Sequence, residues 1–238
     1  MNFFDLKRLV AILGLIPMAV LALDGEVIMI KGAANPAAMP CITCHGADGK
    51  GTPSAGFPRL AGHPAEYLAK QLRDFKAGTR QNLIMQPIAT ALTDEEINDV
   101  AKAYAARPKV NVTPSKMRPV EGTGAWLALR GSWSRNIPEC TLCHGPDGVG
   151  ISGVFPPLAG QSAMYLEAQL RAWKGTPAST AKTGKVKAVA PTRRNDPNGL
   201  MQHIARDLTD AEIKLVAEYF EGLGESAEPF NESQHRLR

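Results

Sequence analysis

Two stretches of the sequence carry the same amphipathic helical pattern. Each begins with a threonine followed three residues later by a glutamate, the signature of a capping box, at Thr93 and Glu96 and again at Thr209 and Glu212. Apolar residues then recur with the i, i+3, i+4, i+7 spacing of one buried helix face. They are Ile97, Val100, Ala101 and Tyr104 in the first stretch and Ile213, Val216, Ala217 and Phe220 in the second. The pattern predicts a helix near the end of each half of the chain.

Both stretches belong to a longer internal repeat. A short apolar helix that ends in a cation and a glycine recurs at 25–32 and 124–131, and a helix with one apolar stripe recurs at 67–75 and 165–173. We expect the aromatic residues of the latter helix to pack in the core. The offset between the copies grows from 98 residues in this helix to 116 residues in the last block, so the second copy contains an insertion of eighteen residues.

The repeat predicts a mostly α-helical protein of two tandem domains. The domains are expected over 23–106 and 120–224, joined by an extended linker over 107–119 that contains three prolines. The tail over 225–238 is polar, and we expect it to be loosely held.

The first residues have the features of an export signal. Lys7 and Arg8 precede an uncharged apolar run, Leu9–Leu23, in which Ala22 ends a small-residue cleavage site. These fifteen residues are short for a membrane span, which needs about 20. We therefore expect a signal peptide over 1–22, cleaved after Ala22, and a periplasmic protein. A retained N-terminal anchor is the alternative.

All four cysteines occur in two copies of one motif, Cys-x-x-Cys-His, at Cys41–His45 and Cys140–His144. Two cysteines one helical turn apart can bond the two vinyl groups of one haem while the next histidine ligates the iron. The motifs predict two covalently bound haem c groups. The attachment residues are Cys41, Cys44, Cys140 and Cys143, and the histidine ligands are His45 and His144. A zinc site would need further ligands at a spacing that is absent, and a thioredoxin-like site would need a βαβ pattern.

Composition agrees with a cofactor at the centre of each domain. Only 6% of the residues are aromatic, and the chain has 22 glycines and 18 prolines. A small domain of this kind would be marginally stable alone, and a covalently bound haem would supply the missing apolar centre. The net charge of +4 is too small for a protein that binds nucleic acid.

The sixth iron ligand decides between electron transfer and catalysis. Met85 is the only methionine that follows His45 in the first domain, and Met201 is in register with it, whereas Met164 is not. Both methionines precede a Leu-Thr-Asp sequence by seven residues. The repeat thus predicts Met85 and Met201 as the second axial ligands.

Two histidines are alternative candidates for the second axial ligand, but neither is matched by a ligating residue in the other copy of the repeat. His63 matches Gln161, and His203 matches Pro87. We therefore expect both histidines to lie on the surface or to support the ligands.

Other residues are candidates for supporting roles. Pro58 and Pro156 lie where a loop could present a carbonyl to the ligating histidine, although a simple turn explains them too. Arg80, Arg193 and Arg194 precede the methionines and could bind haem propionates, and a solvated loop explains them about as well.

The motifs together resemble those of the dihaem cytochromes c4, a tandem form of the class I cytochrome c fold. The resemblance extends from about Gly25 to Leu223. It implies two helical domains related by a pseudo-two-fold axis, with the haem propionate edges facing each other. It also implies His45 with Met85, and His144 with Met201, as axial pairs in a periplasmic electron carrier. The eighteen-residue insertion and the segment Trp126–Trp133 depart from the family pattern.

We expect an electron-transfer protein with protein redox partners rather than an enzyme. A dedicated subunit of a sulfide, thiosulfate or alcohol dehydrogenase, or of a terminal oxidase, would have the same pattern. A dihaem enzyme such as a peroxidase would need an open axial position. The partner could be acidic or bound to a membrane, because the insertion region contains six cations and no acidic residue. These cations are Lys174, Lys182, Lys185, Lys187, Arg193 and Arg194. A solvated loop is the alternative.

Overall fold

The structure is a computed structural model, and it describes residues 24–112, 118–175, 179–181, 184–186 and 190–224. The described part is mostly α-helical, as predicted. Its α-helices are α1 (Gly25–Lys31), α2 (Ile42–His45), α3 (Ala65–Lys76), α4 (Met85–Thr90), α5 (Asp94–Ala105), α6 (Gly124–Arg130), α7 (Cys140–His144), α8 (Ala163–Lys174), α9 (Leu200–Asp207) and α10 (Asp210–Glu221). The predicted signal peptide and the predicted C-terminal tail lie outside the described residues. Among the described helices, none is long and apolar enough to cross a membrane.

The predicted capping boxes start α5 and α10. The Thr93 hydroxyl accepts from the Glu96 backbone N–H at 3.2 Å, and the Glu96 carboxylate accepts from the Thr93 N–H at 2.8 Å. Thr209 and Glu212 repeat this arrangement. The predicted apolar faces of both helices are buried. The sequence pattern of these two helices is therefore confirmed.

Each half is built around a crossing between its first and last helices. α1 packs on α5, and α6 packs on α10. A Cβ atom on Gly25 would lie 2.1 Å from the Asp99 carbonyl oxygen, and one on Gly124 would lie 2.1 Å from the Leu215 carbonyl oxygen. Glycine at these matched positions allows the helix backbones to touch.

The remaining helices complete two similar cores. α3 packs on α5 and α4, and α8 packs on α10 and α9. Apolar side chains from α1, α3 and α5 form the first core, and those from α6, α8 and α10 form the second. The central residues include Ile28, Met29, Ile97 and Tyr104 in the first half and Ala128, Val216, Tyr219 and Phe220 in the second.

The two halves contact each other directly. An antiparallel backbone bridge pairs Arg80 with Arg193, with hydrogen bonds of 2.8 Å from the Gln81 N–H to the Thr192 carbonyl and from the Arg194 N–H to the Thr79 carbonyl. The insertion that distinguishes the second half therefore ends at the interface between the halves.

The insertion also contains a short hairpin, and two of the six cations of the region, Lys174 and Arg193, are not free on its surface. Strands β1 (Ser179–Ala181) and β2 (Gly184–Val186) pair in antiparallel fashion. Arg193 is only 4% exposed, and the Lys174 ammonium donates to the Leu208 carbonyl at 2.6 Å. These two cations are held within the fold, and Lys182 and Lys187 lie outside the described residues.

Candidate haem site

Both Cys-x-x-Cys-His motifs form single helical turns, α2 with its N-cap Cys41 and α7. Each turn ends at a glycine with positive φ, Gly46 at 78° and Gly145 at 79°, which redirects the chain directly after the histidine. The four thiols are free and half-buried. Burial raises the pKa of Cys41 to about 11 and that of Cys140 to about 12, so both thiols are neutral at pH 7.

The motif histidines are buried, and each is oriented by a proline carbonyl. His45 Nδ1 lies 3.0 Å from the Pro58 carbonyl oxygen, and His144 Nδ1 lies 2.8 Å from that of Pro156. A carbonyl only accepts, so Nδ1 carries the proton and Nε2 keeps its lone pair. Burial lowers the pKa of both imidazoles, which favours the neutral form that ligates a metal. The expected role of the two prolines is thus matched by the geometry.

One continuous cavity of about 850 Å³ adjoins both motifs. This volume is near the upper end of the range of about 300–1,000 Å³ for ligand pockets. Its lining includes all eight predicted attachment and axial residues: Cys41, Cys44, His45, Met85, Cys140, Cys143, His144 and Met201. The fold therefore brings the two predicted haem sites to one shared interior.

The two methionines lie in the first turns of α4 and α9. The Asn82 side chain accepts from the Ile84 and Met85 N–H groups, each at 2.9 Å, and fixes the start of α4. The Asp196 carboxylate accepts from the Gln202 N–H at 2.7 Å near the start of α9. Both methionines are half-buried at the cavity wall.

Arg80 lies at the centre of the boundary between the halves. Its guanidinium donates to Gln71 at 2.9 Å in its own half, and to Tyr165 at 2.8 Å and Gln169 at 2.7 Å in the other half. It also stacks on the Phe75 ring, 4.5 Å from the centroid.

Arg193 makes the reciprocal set of contacts. It donates to Gln169 at 3.0 Å in its own half and to Gln71 at 3.1 Å in the other half. It lies 3.7 Å above the centroid of Trp173, the counterpart of Phe75. Gln71 and Gln169 are themselves counterparts in the repeat. The boundary network is therefore pseudo-symmetric.

The two arginines make the cavity strongly electropositive. Neither forms an ion pair with a carboxylate among the described residues, and their exposures are only 6% and 4%. Burial alone would raise the pKa of Tyr165, yet the Arg80 and Arg193 charges hold it below its ordinary value. Burial and the neighbouring Arg80 charge lower the pKa of Arg193. The Asp74 carboxylate acts on Arg80 without forming an ion pair with it, so two buried cations with so little compensation cost on the order of several kcal/mol, which a bound anion would offset.

The cavity fits haem, an apolar macrocycle that carries two carboxylates. Its wall combines apolar side chains with the two cysteine pairs and the two buried guanidinium groups. Trp173 also lines the cavity, and its buried indole N–H has no hydrogen-bond partner among the described residues.

Other candidates from the sequence fall outside the cavity or take different roles. Arg194 is exposed and does not line the cavity. His203 is exposed and pairs with Asp207 at 3.5 Å, whereas Met164 is exposed near Gly56. His63 differs from the surface expectation because it is buried between the halves, where it lines the cavity.

The sequence analysis assigned no role at the haem sites to three residues of the boundary, Gln71, Gln169 and Tyr165. Tyr165 and Trp173 were assigned to core packing, but they hold Arg80 and Arg193 at the cavity. The signal was present in the repeat, because a glutamine follows the tyrosine by four residues in both copies. A polar residue at the same place in two apolar helix stripes indicates a buried hydrogen-bonding role.

Comparison with known proteins supports the same interpretation. The sequence profile of the cytochrome c family matches residues 30–102 and again 137–224. A curated relative, the thiosulfate dehydrogenase electron acceptor of Stutzerimonas stutzeri, is 53% identical over 89% of this chain and 91% of its own length.

Two solved structures resemble the fold. The crystal structure of reduced recombinant cytochrome c4 from Pseudomonas stutzeri is 31% identical, with a TM-score of 0.61 over 77% of this chain and 93% of that chain. A thiosulfate dehydrogenase from Marichromatium purpuratum is 37% identical, with a TM-score of 0.67 over 83% of this chain. This chain spans 39% of the length of that enzyme. The chain belongs to the cytochrome c family, whose members bind haem c covalently, and within it to the dihaem, cytochrome c4-like electron-transfer proteins.

Proposed function

We propose that the chain holds two haem c groups as its sequence repeat indicates. Cys41 and Cys44 would form the first pair of thioethers, with His45 and Met85 as axial ligands. Cys140, Cys143, His144 and Met201 would do the same in the second half. The observation that carries this proposal is that all eight side chains line one cavity. The orientation of both histidines by proline carbonyls supports it.

Arg80 and Arg193 would bind the propionates of both haem groups. Each guanidinium is buried at the cavity, is held by acceptors from both halves and has no carboxylate partner among the described residues. Two carboxylates brought by each cofactor would compensate the buried charge.

In this arrangement the protein carries electrons one at a time. When bound, the haem iron supplies a reversible one-electron change. Met85 and Met201 would hold the iron through thioether sulfur, which would favour the ferrous state relative to ligation by two histidines. With a histidine and a methionine on each iron, no place for a substrate would remain at the metal, which favours a carrier over a dihaem enzyme.

The electron donor is a thiosulfate dehydrogenase, and the chain works in the periplasm after removal of residues 1–22. The support is the identity of 53% with an electron acceptor of that enzyme over most of both chains. A fold match within a thiosulfate dehydrogenase chain adds to it.

Reduction by the enzyme tests this function. The purified protein, in its oxidised form, is mixed with thiosulfate and the thiosulfate dehydrogenase of Stutzerimonas stutzeri, and the reduced c-type haem band is followed by stopped-flow absorbance. We expect uptake of two electrons per chain, and no reduction when either thiosulfate or the enzyme is left out. Absence of reduction in the complete mixture would contradict the proposed donor.

A further inference from the structure

Four exposed apolar side chains lie around the second Cys-x-x-Cys-His motif. Leu142 is within α7, and the others follow in the loop after His144. Their exposures are 56% for Leu142, 47% for Val149, 60% for Ile151 and 69% for Val154. We call these four residues the second-site patch. Exposed apolar residues gathered in one segment mark an interaction surface more often than scattered ones do.

The fold does not require apolar residues at these positions. In both halves the loop has the same backbone bonds, from the Gly51 N–H to the His45 carbonyl at 2.8 Å and from the Gly150 N–H to the His144 carbonyl at 2.7 Å. The first half nevertheless has polar or small residues in the same places. Leu142, Val149, Ile151 and Val154 correspond to Thr43, Lys50, Thr52 and Gly56. The copies share the start of this loop and differ there in side-chain chemistry, although the second loop is one residue shorter and lacks the 3-10 turn of Pro53–Ala55.

The segment that carries the second-site patch has few charges of its own and borders the cavity. Between Cys140 and Leu158, only Asp147 has a formal charge at pH 7. Val154 and Cys143 both line the cavity, so the patch adjoins the second predicted haem site. A partner on this surface would meet mainly apolar side chains, with the exposed Glu66 of the first half beside Gly153.

The size of the patch indicates a transient partner. Four side chains cover much less than the roughly 800 Å² per partner of a stable complex, which argues against a permanent dimer of this chain. Weak redox complexes use small interfaces of this kind. The first half also has exposed large apolar residues, including Leu83 and Ile84 on the methionine side of its site and Met39 just before its motif, but none in the loop after His45.

We propose that the second-site patch is where the thiosulfate dehydrogenase docks to deliver electrons, through an uncharged apolar surface of the enzyme. This inference rests on the proposed function. Because the contact is apolar, its rate depends little on ionic strength, unlike an encounter guided by opposite charges.

The repeat supplies the test. The variant Leu142→Thr, Val149→Lys, Ile151→Thr places first-half residues at the matched positions of the second half, and Leu142→Thr alone is a milder second variant. Leu83→Ser is the matched control, because Leu83 is 97% exposed and does not line the cavity. Reduction by the thiosulfate dehydrogenase is measured at low and high salt. Reduction by ascorbate and the two haem potentials are measured in parallel.

We expect the triple variant to be reduced by the enzyme about tenfold more slowly, mainly through weaker docking, and the control to match the wild type. Ascorbate reduction and both potentials should stay unchanged. The docking proposal would be contradicted if the enzyme reduced both patch variants at the wild-type rate. It would also be contradicted if reduction by ascorbate slowed as much as reduction by the enzyme. If the wild-type protein itself is not reduced by the enzyme, the proposed function fails, and the docking proposal fails with it.

Discussion

The guanidinium groups of Arg80 and Arg193 share the same two acceptors, the side-chain oxygens of Gln71 and Gln169. Each glutamine comes from a different half of the chain, so neither arginine belongs to one site alone. The pair also joins the halves through the backbone bridge between residues 80 and 193. A change of charge here should reach both haem sites.

Arg80→Gln should lower both redox potentials. Loss of a positive charge beside the cavity disfavours the reduced state, which has one negative charge more than the oxidised state. Arg80→Lys keeps the positive charge, so both potentials should stay close to their wild-type values. Spectroelectrochemical titration resolves the two steps. Arg194→Gln is the control, since Arg194 is exposed and does not itself line the cavity. A shift in only one potential would show that Arg80 serves a single site.

The covalent haem count is a second prediction. Because each motif offers two free thiols at the cavity, the mature protein should retain two haem additions after acid-acetone extraction. Mass spectrometry should also place the first residue at Leu23. The variant Cys140→Ser, Cys143→Ser should retain a single haem. Extractable haem in the wild-type protein would contradict attachment at these cysteines.

The repeat explains which parts of the structure the sequence could predict. The capping boxes, the proline carbonyls and the matched methionines all recur at fixed offsets, so each copy supports the interpretation of the other. Local hydrogen bonds such as the one between His45 and Pro58 depend only on one copy and are fixed by its turn geometry.

The boundary between the halves could not be predicted in this way. Arg80 precedes Met85 by five residues, whereas Arg193 precedes Met201 by eight, so the two arginines are out of register in the sequence. Their pairing arises from contacts across the boundary, which a comparison of one copy with the other does not contain. The burial of Arg193 in an apparently basic loop has the same cause.

Replacement of one methionine tests the axial assignment. Met201→His should lower one of the two potentials and leave the other nearly unchanged, because imidazole favours the ferric state more than a thioether does. The far-red band of methionine-ligated ferric haem should weaken by about half. Met85→His should affect the other potential. If Met201→His left both potentials unchanged, Met201 would not be the axial ligand that the repeat predicts.

The buried His63 should make the folded protein less stable at acidic pH. Burial between the halves lowers the pKa of His63 to about 4, although the backbone carbonyls of Ala61 and Pro157 partly stabilise its protonated form. In the unfolded chain a histidine has a pKa of about 6.5. At a pH above this pKa, His63 is neutral in both the folded and the unfolded state, and its protonation costs the protein no stability. As the pH falls from about 6.5 to 4, the unfolded state binds a proton that the folded state does not, and about 3 kcal/mol of stability is lost.

His63→Gln should remove this loss, since glutamine does not titrate and the second half has Gln161 at the matched position. Guanidinium unfolding of the haem-loaded protein between pH 4 and 7 measures the effect. The variant should lose less stability on acidification than the wild type does, by up to about 3 kcal/mol. The control is His203→Gln, because His203 is exposed whereas His63 is buried. Parallel curves for wild type and His63→Gln would show that the buried imidazole does not govern the acid response.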